Sequence, residues 1–252
     1  MSKGIDLIEE LRCELDEIDS DIAELLQERY DVCLQIAREK RLNGIALENL
    51  GREEEIIFNQ SAKCSKYSEE AKSVFRSIID GSKRLQRQSL NLYLVGMPNS
   101  GKTKLAGRLG LLLGRRRIDT DSLVMRSENK TIDRIFDESG EAYFREIEHQ
   151  VLCRAAATGD LVVATGGGIL TYEKNLPILK NSGVTVFLDR DPECLARARV
   201  HNRPLIRGGI DDIMRLYNER IEQYRSESDL TVDPDDEAAV EKIAEFFHGK
   251  IS

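Results

Sequence analysis

Apolar residues fall at Ile8, Leu11, Leu15, Ile18, Ile22 and Leu25, in steps of three and four, within a stretch from Ser2 to about Leu42 that holds no proline and only Gly4. That is the heptad spacing of a helix seam. At about 1.5 Å per residue the predicted helix is some 60 Å long, too long to bury its seam against itself. Two further helical stretches, residues 51–61 and 68–88, bring too little apolar surface to cover it. The pattern therefore implies a second chain, and a homodimer intertwined through the N-terminal helices is the economical arrangement.

Near Ser89 the texture changes. Residues 90–95 form a short apolar run of strand type, followed at once by a glycine-punctuated loop, and strand candidates recur at 117–119, Leu161–Ala164, 184–188 and Leu230–Val232, separated by helical pattern. Strands alternating with helices predict a parallel sheet covered on both faces. The chain is thus expected to divide into a three-helix domain over 1–88 and an α/β domain over 89–252. No Pro/Gly/Ser linker marks the boundary, so the third helix should run almost directly into the first strand.

Composition narrows the class. Of 252 residues, 40% are hydrophobic, 33% are charged and 5 are prolines, as in a helix-rich globular chain rather than a disordered or fibrous one. No apolar run approaches the roughly 18 residues of a membrane span, and the first ten residues lack the pattern of a signal peptide, which predicts a cytoplasmic protein with no membrane partner. A net charge of −8, with a mild acidic excess in each half, argues against nucleic acid as a partner, so an anionic ligand must be held by local cations. Cys13, Cys33, Cys64, Cys153 and Cys194 are odd in number and contain no CxxC pair, which predicts buried thiols rather than disulfides or zinc ligands.

Gly96-Met97-Pro98-Asn99-Ser100-Gly101-Lys102-Thr103 matches GxxxxGK[ST] between an apolar strand and a helical run. The glycines free backbone N–H groups to face phosphates, Lys102 neutralises phosphate oxygens, and the Thr103 hydroxyl suits Mg2+; the motif thus implies ATP or a related nucleotide. Asp119-Thr120-Asp121 closes the second strand at the sheet edge where doubly wound folds bind ligands, and one carboxylate suits a metal while the other suits an acceptor hydroxyl. Gly166-Gly167-Gly168 ends the third strand and permits close approach of a ligand to the backbone. Arg203-Pro204-Leu205-Ile206 lies in a polar, helix-poor stretch suited to a lid whose arginine reaches the transferring phosphoryl group.

From about residue 90 to the end, the chain resembles shikimate kinase, a small P-loop protein of the nucleoside-monophosphate-kinase type. The resemblance rests on the phosphate loop, Asp119-Thr120-Asp121, Phe144-Arg145 within Gly140-Glu-Ala-Tyr-Phe-Arg-Glu-Ile-Glu148, Thr165-Gly-Gly-Gly168, Arg203-Pro-Leu, and Arg220 ahead of Tyr224. It implies that Gly96, Asn99, Ser100, Gly101, Lys102 and Thr103 hold ATP and that Thr103 and Asp119 hold Mg2+. It also implies that Asp121, Arg145, Gly166, Gly167, Gly168 and Arg220 hold shikimate, with Lys102, Asp121 and Arg203 catalytic. Guanidinium groups suit the acceptor's carboxylate and Asp121 its hydroxyls. The chain departs from the family in carrying Asn99 where glycine is common. Its lid from Arg197 to Arg203 is also short, and the adenine-stacking arginine is Arg197 or Arg199.

In the helical domain, Arg29 and Lys40 are eleven residues apart, about 1,100° of helical rotation, so they share a face about 16 Å apart. Arg12 lies about 25 Å from Arg29 along the same helix and can join a small site only from a partner chain. Ser82 and Gln86, at i and i+4, share one face of the third helix. With Asp19, Glu28, Arg52 and Glu53 at matching spacings, residues 4–88 resemble the all-helical chorismate mutase family. The resemblance implies a domain-swapped homodimer that binds chorismate through Arg12, Arg29, Lys40, Asn49, Arg52, Glu53, Ser82 and Gln86. Arg12 and Arg29 would hold the carboxylates, Lys40 and Gln86 would act at the ether oxygen, and Glu53 would hold the ring hydroxyl. Asn49 stands where the family often has Asp. No cofactor is implied for this unimolecular rearrangement, which needs a compact conformer and preorganised charge.

Three readings follow. One is a bifunctional enzyme, phosphorylating shikimate and rearranging chorismate to prephenate. A second makes the helical domain a dimerising sensor of chorismate or prephenate, which the presence of both Lys40 and Gln86 disfavours because a sensor needs only the carboxylate clamps. The third, a kinase for another small hydroxy acid, is disfavoured by Asp121, Arg145 and Arg220 occurring together.

Overall fold

A computed structural model describes residues 2–197 and 210–251, without side-chain detail for 2–6, 196 and 197. The chain divides into two compact units, one of Met1–Ala37 and Glu48–Gln86, the other of Arg38–Leu47 and Arg87–Ser252. In the first, helix α1 (Ser2–Leu42) is joined by α2 (Leu50–Ser61), a 3-10 turn (Ala62–Tyr67) and α3 (Ser68–Gln88). Leu7, Ile8, Leu11, Leu15, Ile18, Ile22 and Leu25 are all roughly half exposed, so the seam is open along two-thirds of α1 in the single chain. Farther along, α3 closes onto α1 at Gly81, where an added Cβ would lie 2.7 Å from the Tyr30 hydroxyl.

The second unit is built on a parallel sheet of β1 (Asn91–Val95), β2 (Arg116–Asp119), β3 (Leu161–Ala164), β4 (Gly183–Leu188) and β5 (Leu230–Val232), in the order β2-β3-β1-β4-β5. Around it lie α4 (Lys102–Leu113), α5 (Thr120–Glu128), α6 (Ile132–Thr158), a 3-10 turn (Ile169–Thr171), α7 (Asn175–Ser182), α8 (Pro192–Arg197), α9 (Ile210–Ser226) and α10 (Ala239–Ile251). Leu92 and Leu94 face a core shared with α4 and α10, and Tyr93 and Val95 face the opposite core with α6 and α7. This is the strand alternation that buries both faces of a parallel sheet.

The division at residue 88 expected from chain order differs from the packing at one place. Residues 38–47, the last turn of α1 and the loop after it, pack with the sheet unit. Arg41 is buried there, donating from Nη1 to Ser89 Oγ (2.6 Å), and Asn181 Nδ2 donates to the Gly44 carbonyl (2.8 Å). The cysteine expectation is corrected: Cys13 and Cys64 are exposed and Cys33, Cys153 and Cys194 only half-buried, all of them free thiols. Cys13 sits on the open stretch of α1 and Cys64 in the turn after α2, where no layer of the chain covers them. Among the described residues, no helix is long and apolar enough to cross a membrane.

Candidate active site

β1 delivers the chain to the phosphate loop through five fully buried residues, and the turn uses Gly96 at φ +148° and Gly101 at φ +87°, positions open to a residue without Cβ. Asn99, where glycine is common in kinases of this type, adopts φ +67°. Asparagine tolerates the left-handed region better than other side chains, and the Asn99 carbonyl is held by Arg190 Nη1 at 3.0 Å. The Lys102 ammonium is buried in the loop, donating to the Gly96 and Met97 carbonyls (2.8 and 2.7 Å) and to Ser100 Oγ (3.3 Å). Thr103 Oγ1 donates to Asp119 Oδ2 at 2.7 Å, while Asp119 Oδ1 caps α5 by accepting from the Ser122 N–H at 3.0 Å. Hydroxyl and carboxylate oxygens thus converge at the start of α4. That donor set fits Mg2+, which takes one or two protein oxygens and completes its shell with phosphate and water.

The next turn forms the acceptor side. Asp121 is buried in the first turn of α5, and its neighbour Thr120 accepts the Gly166 N–H at 2.8 Å, tying α5 to the glycine run after β3. A Cβ on Gly166 would collide with Glu148 Oε1 and come 2.7 Å from Asp121 Oδ1, so only glycine lets both carboxylates approach the strand end. Gly167 lies against Pro98 of the phosphate loop, where a Cβ would meet Pro98 Cδ at 2.8 Å. Its carbonyl accepts from Arg220 Nη1 (2.8 Å) and the Tyr224 hydroxyl (2.6 Å), both on α9. A Cβ on Gly168 would stand 2.5 Å from Arg145 Nη2. Asp121, Arg145, Gly166–Gly168 and Arg220 are therefore gathered beside the phosphate loop, from four separate segments. Arg203, and the Arg199 alternative for adenine, lie outside the described residues, as does the side chain of Arg197.

Glu148 is the member to which sequence reasoning assigned no role. It is 1% exposed, accepts from Arg145 Nη1 at 2.8 Å through Oε2, and its Oε1 has no hydrogen-bond partner. Glu141 braces the same guanidinium from the other side at 2.9 Å. Burial tends to lower the Arg145 pKa, but the Glu148 and Glu141 carboxylates more than offset it, so the cation is held above its ordinary value. Burial lowers Arg220, with Arg145 adding repulsion. The available signal was its spacing: Arg145 and Glu148 are i and i+3 on one helix face.

Burial pushes the Glu148 carboxyl up to about 7, with Arg145 pulling down and the Asp121 charge adding to the rise. Glutamate in an unfolded chain titrates near about 4.3. The folded chain therefore binds more protons between the two values, and the Glu148 contribution to stability, present below the lower value, is lost as pH rises through the upper one. Raising the pH from about 5 to about 8 should lower the wild-type melting temperature relative to that of Glu148→Gln. A difference between the two that stays constant over this range would show that Glu148 takes up no proton in the folded state.

In the helical unit, Arg29 Nη1 donates to Ser82 Oγ at 2.6 Å, and Ser82 donates in turn to the Ile78 carbonyl at 2.9 Å. Glu53 is paired with Lys83 at 3.1 Å, a cation that the sequence reading did not single out. Asn49 caps α2, its Oδ1 accepting from the Arg52 N–H at 3.1 Å, and Arg52 Nη1 reaches Glu55 at 2.7 Å. Arg12, two-thirds exposed, meets only Glu9 among the described contacts, at 2.9 Å. Gln86 lies in the last turns of α3, and Lys40 donates to the Leu47 carbonyl at 2.7 Å within the other unit.

Comparison with known proteins agrees with both halves. The shikimate kinase family model matches residues 98–249, and the chorismate mutase type II model matches residues 11–87. The shikimate kinase of Prochlorococcus marinus (strain MIT 9211) is 42% identical over 156 residues, 59% of this chain and 79% of its own length. That of Clostridium botulinum (strain Okra / Type B1) is 36% identical over 158 residues, 61% of this chain and 93% of its own. Among solved structures, shikimate kinase from Acinetobacter baumannii in complex with shikimate superposes with a TM-score of 0.60 at 32% identity, covering 66% of this chain and 95% of that one. The Aquifex aeolicus enzyme gives 0.56 at 34% identity, with 64% and 97% covered. With a phosphate loop, a carboxylate-and-arginine acceptor side and these relatives in agreement, the chain belongs to the shikimate kinase family and carries a chorismate mutase domain ahead of the kinase.

Proposed function

We propose that the sheet unit transfers the γ-phosphoryl group of ATP to a hydroxyl of shikimate through the residues just described. The observation that carries this reading is the gathering of Asp121, Arg145 and Arg220 around the Gly166–Gly168 run, beside the phosphate loop. Arg145 and Arg220 offer planar donors to the acceptor's carboxylate, Arg145 already oriented by Glu141 and Glu148. Asp121 accepts the hydrogen bond of the reacting hydroxyl and receives its proton as the new O–P bond forms and the bond to the ADP oxygen breaks. Lys102, released from the loop carbonyls, neutralises phosphate charge, and Arg203 serves from the lid. Thr103 and Asp119 would hold Mg2+, which supplies charge neutralisation at the phosphates. Gly96, Asn99, Ser100 and Gly101 shape the backbone donors of the nucleotide site.

The domain boundary is placed at 88/89, and the helical domain is assigned the rearrangement of chorismate to prephenate in a homodimer. The open seam supports pairing: burying seven half-exposed apolar side chains per chain contributes about 1 kcal/mol each. Chorismate is held by Arg29, Ser82, Arg52, Glu53 and Asn49 with Arg12 from the partner, while Lys40 and Gln86 serve the ether oxygen. Synthesis of small metabolites by such a chain belongs in the cytoplasm.

An acceptor screen tests the kinase reading. With purified full chain and Mg-ATP, ADP release should depend on shikimate and be absent with gluconate. Strong phosphorylation of gluconate with none of shikimate would remove the assignment.

A further inference from the structure

A groove of about 360 Å³ opens among β2, α5 and α6, at the low end of small-molecule sites in size. Arg116 opens β2, Arg126 stands in the last turn of α5, and Arg154 lies one turn from the end of α6; all three are exposed and line the groove. None of the three has a hydrogen-bond acceptor or ion-pair partner among the described residues, whereas Arg115, next in sequence to Arg116, is paired with Asp160. The lining contains no carboxylate, although the chain as a whole has an excess of eight negative charges. Its floor is Ile118, Leu123, Val151 and Leu161.

Helix dipoles favour Arg126 and Arg154 at helix C-termini, but they give no reason for Arg116 on a strand. Three like charges around one concavity repel one another unless an anion joins them. A bare hydrated anion would gain nothing from the apolar floor, while a ring laid on it buries carbon and leaves acid groups at the rim for the guanidinium groups. We propose that this groove binds a small ring compound bearing two acid groups, at a site distinct from the phosphate loop and from the acceptor residues. Chorismate and prephenate, the substrate and product of a chorismate mutase, belong to that class; their choice as the source rests on the mutase reading.

The test is calorimetric titration of prephenate into full-length Arg29→Ala protein, whose helical-unit clamp is removed. One molecule should bind per chain. Adding Arg126→Gln and Arg154→Gln should weaken that binding at least about tenfold, with shikimate turnover and melting temperature unchanged, since both side chains are exposed and unpaired. No binding to the Arg29→Ala protein, or binding indifferent to the two glutamines, would overturn the proposal. So would displacement of prephenate by an equal concentration of inorganic phosphate, which needs no ring. Chorismate consumption by the wild-type chain, measured alongside, reports on the mutase reading separately: its absence removes that reading while the groove stands or falls on the titration.

Discussion

Arg145→Ala is expected to raise KM for shikimate by about 100-fold or more and to leave KM for ATP little changed. Truncating one partner of a buried, hydrogen-bonded charge pair costs about 2–5 kcal/mol, and every 1.4 kcal/mol is about tenfold. The guanidinium is 7% exposed and held by Glu141 and Glu148, so its loss removes a donor that was already oriented. The remaining Glu148 carboxyl, pushed up to about 7 even with its cation present, gains a proton more readily without it. The variant should therefore fold, with its largest stability loss above neutral pH. Arg145→Lys keeps the charge but not the planar fork and should recover only part of the affinity. Gly168→Ala should move in the same direction: its Cβ would press on a guanidinium that two carboxylates prevent from yielding. Steady-state kinetics with each substrate varied separately gives the check. An equal loss for ATP and shikimate would mean a misfolded site or a wrong role for Arg145.

Arg29→Ala is the second large effect, expected to reduce chorismate consumption by about 100- to 1,000-fold, to the range seen when one preorganised charge-stabilising donor is removed from an active site. The Arg29 guanidinium is held by Ser82 across two helices, a rigid clamp rather than a mobile surface cation. Loss of chorismate absorbance by the wild-type chain, read against this variant as the control for spontaneous rearrangement, separates catalysis from sensing. Equal rates with chorismate still bound would make the helical unit a sensor. Mixing Arg29→Ala with Arg12→Ala adds the test of shared sites. Random pairing makes about half of the dimers mixed, each with one intact site, so about a quarter of wild-type activity should return. No recovery would argue against a site that takes Arg12 from the partner.

Much of the fold was legible because it depends on local pattern. The three-and-four spacing from Ile8 to Leu25 marked α1, and the apolar runs marked the strands to within a residue. Asn91 shows why the edges moved: its side chain is buried, donating to the Ala155 carbonyl at 3.0 Å and accepting from the Leu161 N–H at 2.9 Å, so a polar residue opens β1 where the apolar pattern starts at Leu90. Candidate chemistry was legible where it was written contiguously, as in Gly96 to Thr103. Glu148 and Lys83 were not, since each acquires its meaning from a partner: the i+3 neighbour Arg145 in a buried pair, and Glu53 on another helix.

By itself the sequence determined the order and type of the elements, the phosphate loop and the unpartnered seam of α1, because periodicity and steric demands of glycine act within a few residues. Only the tertiary structure decided that residues 38–47 pack with the sheet unit, that Glu148 lies buried against Arg145 beside Asp121, and that Arg116, Arg126 and Arg154 share one groove. Burial, charge coupling and convergence of side chains depend on distances between segments far apart in the chain, and those distances exist only after the sheet and its helices have packed.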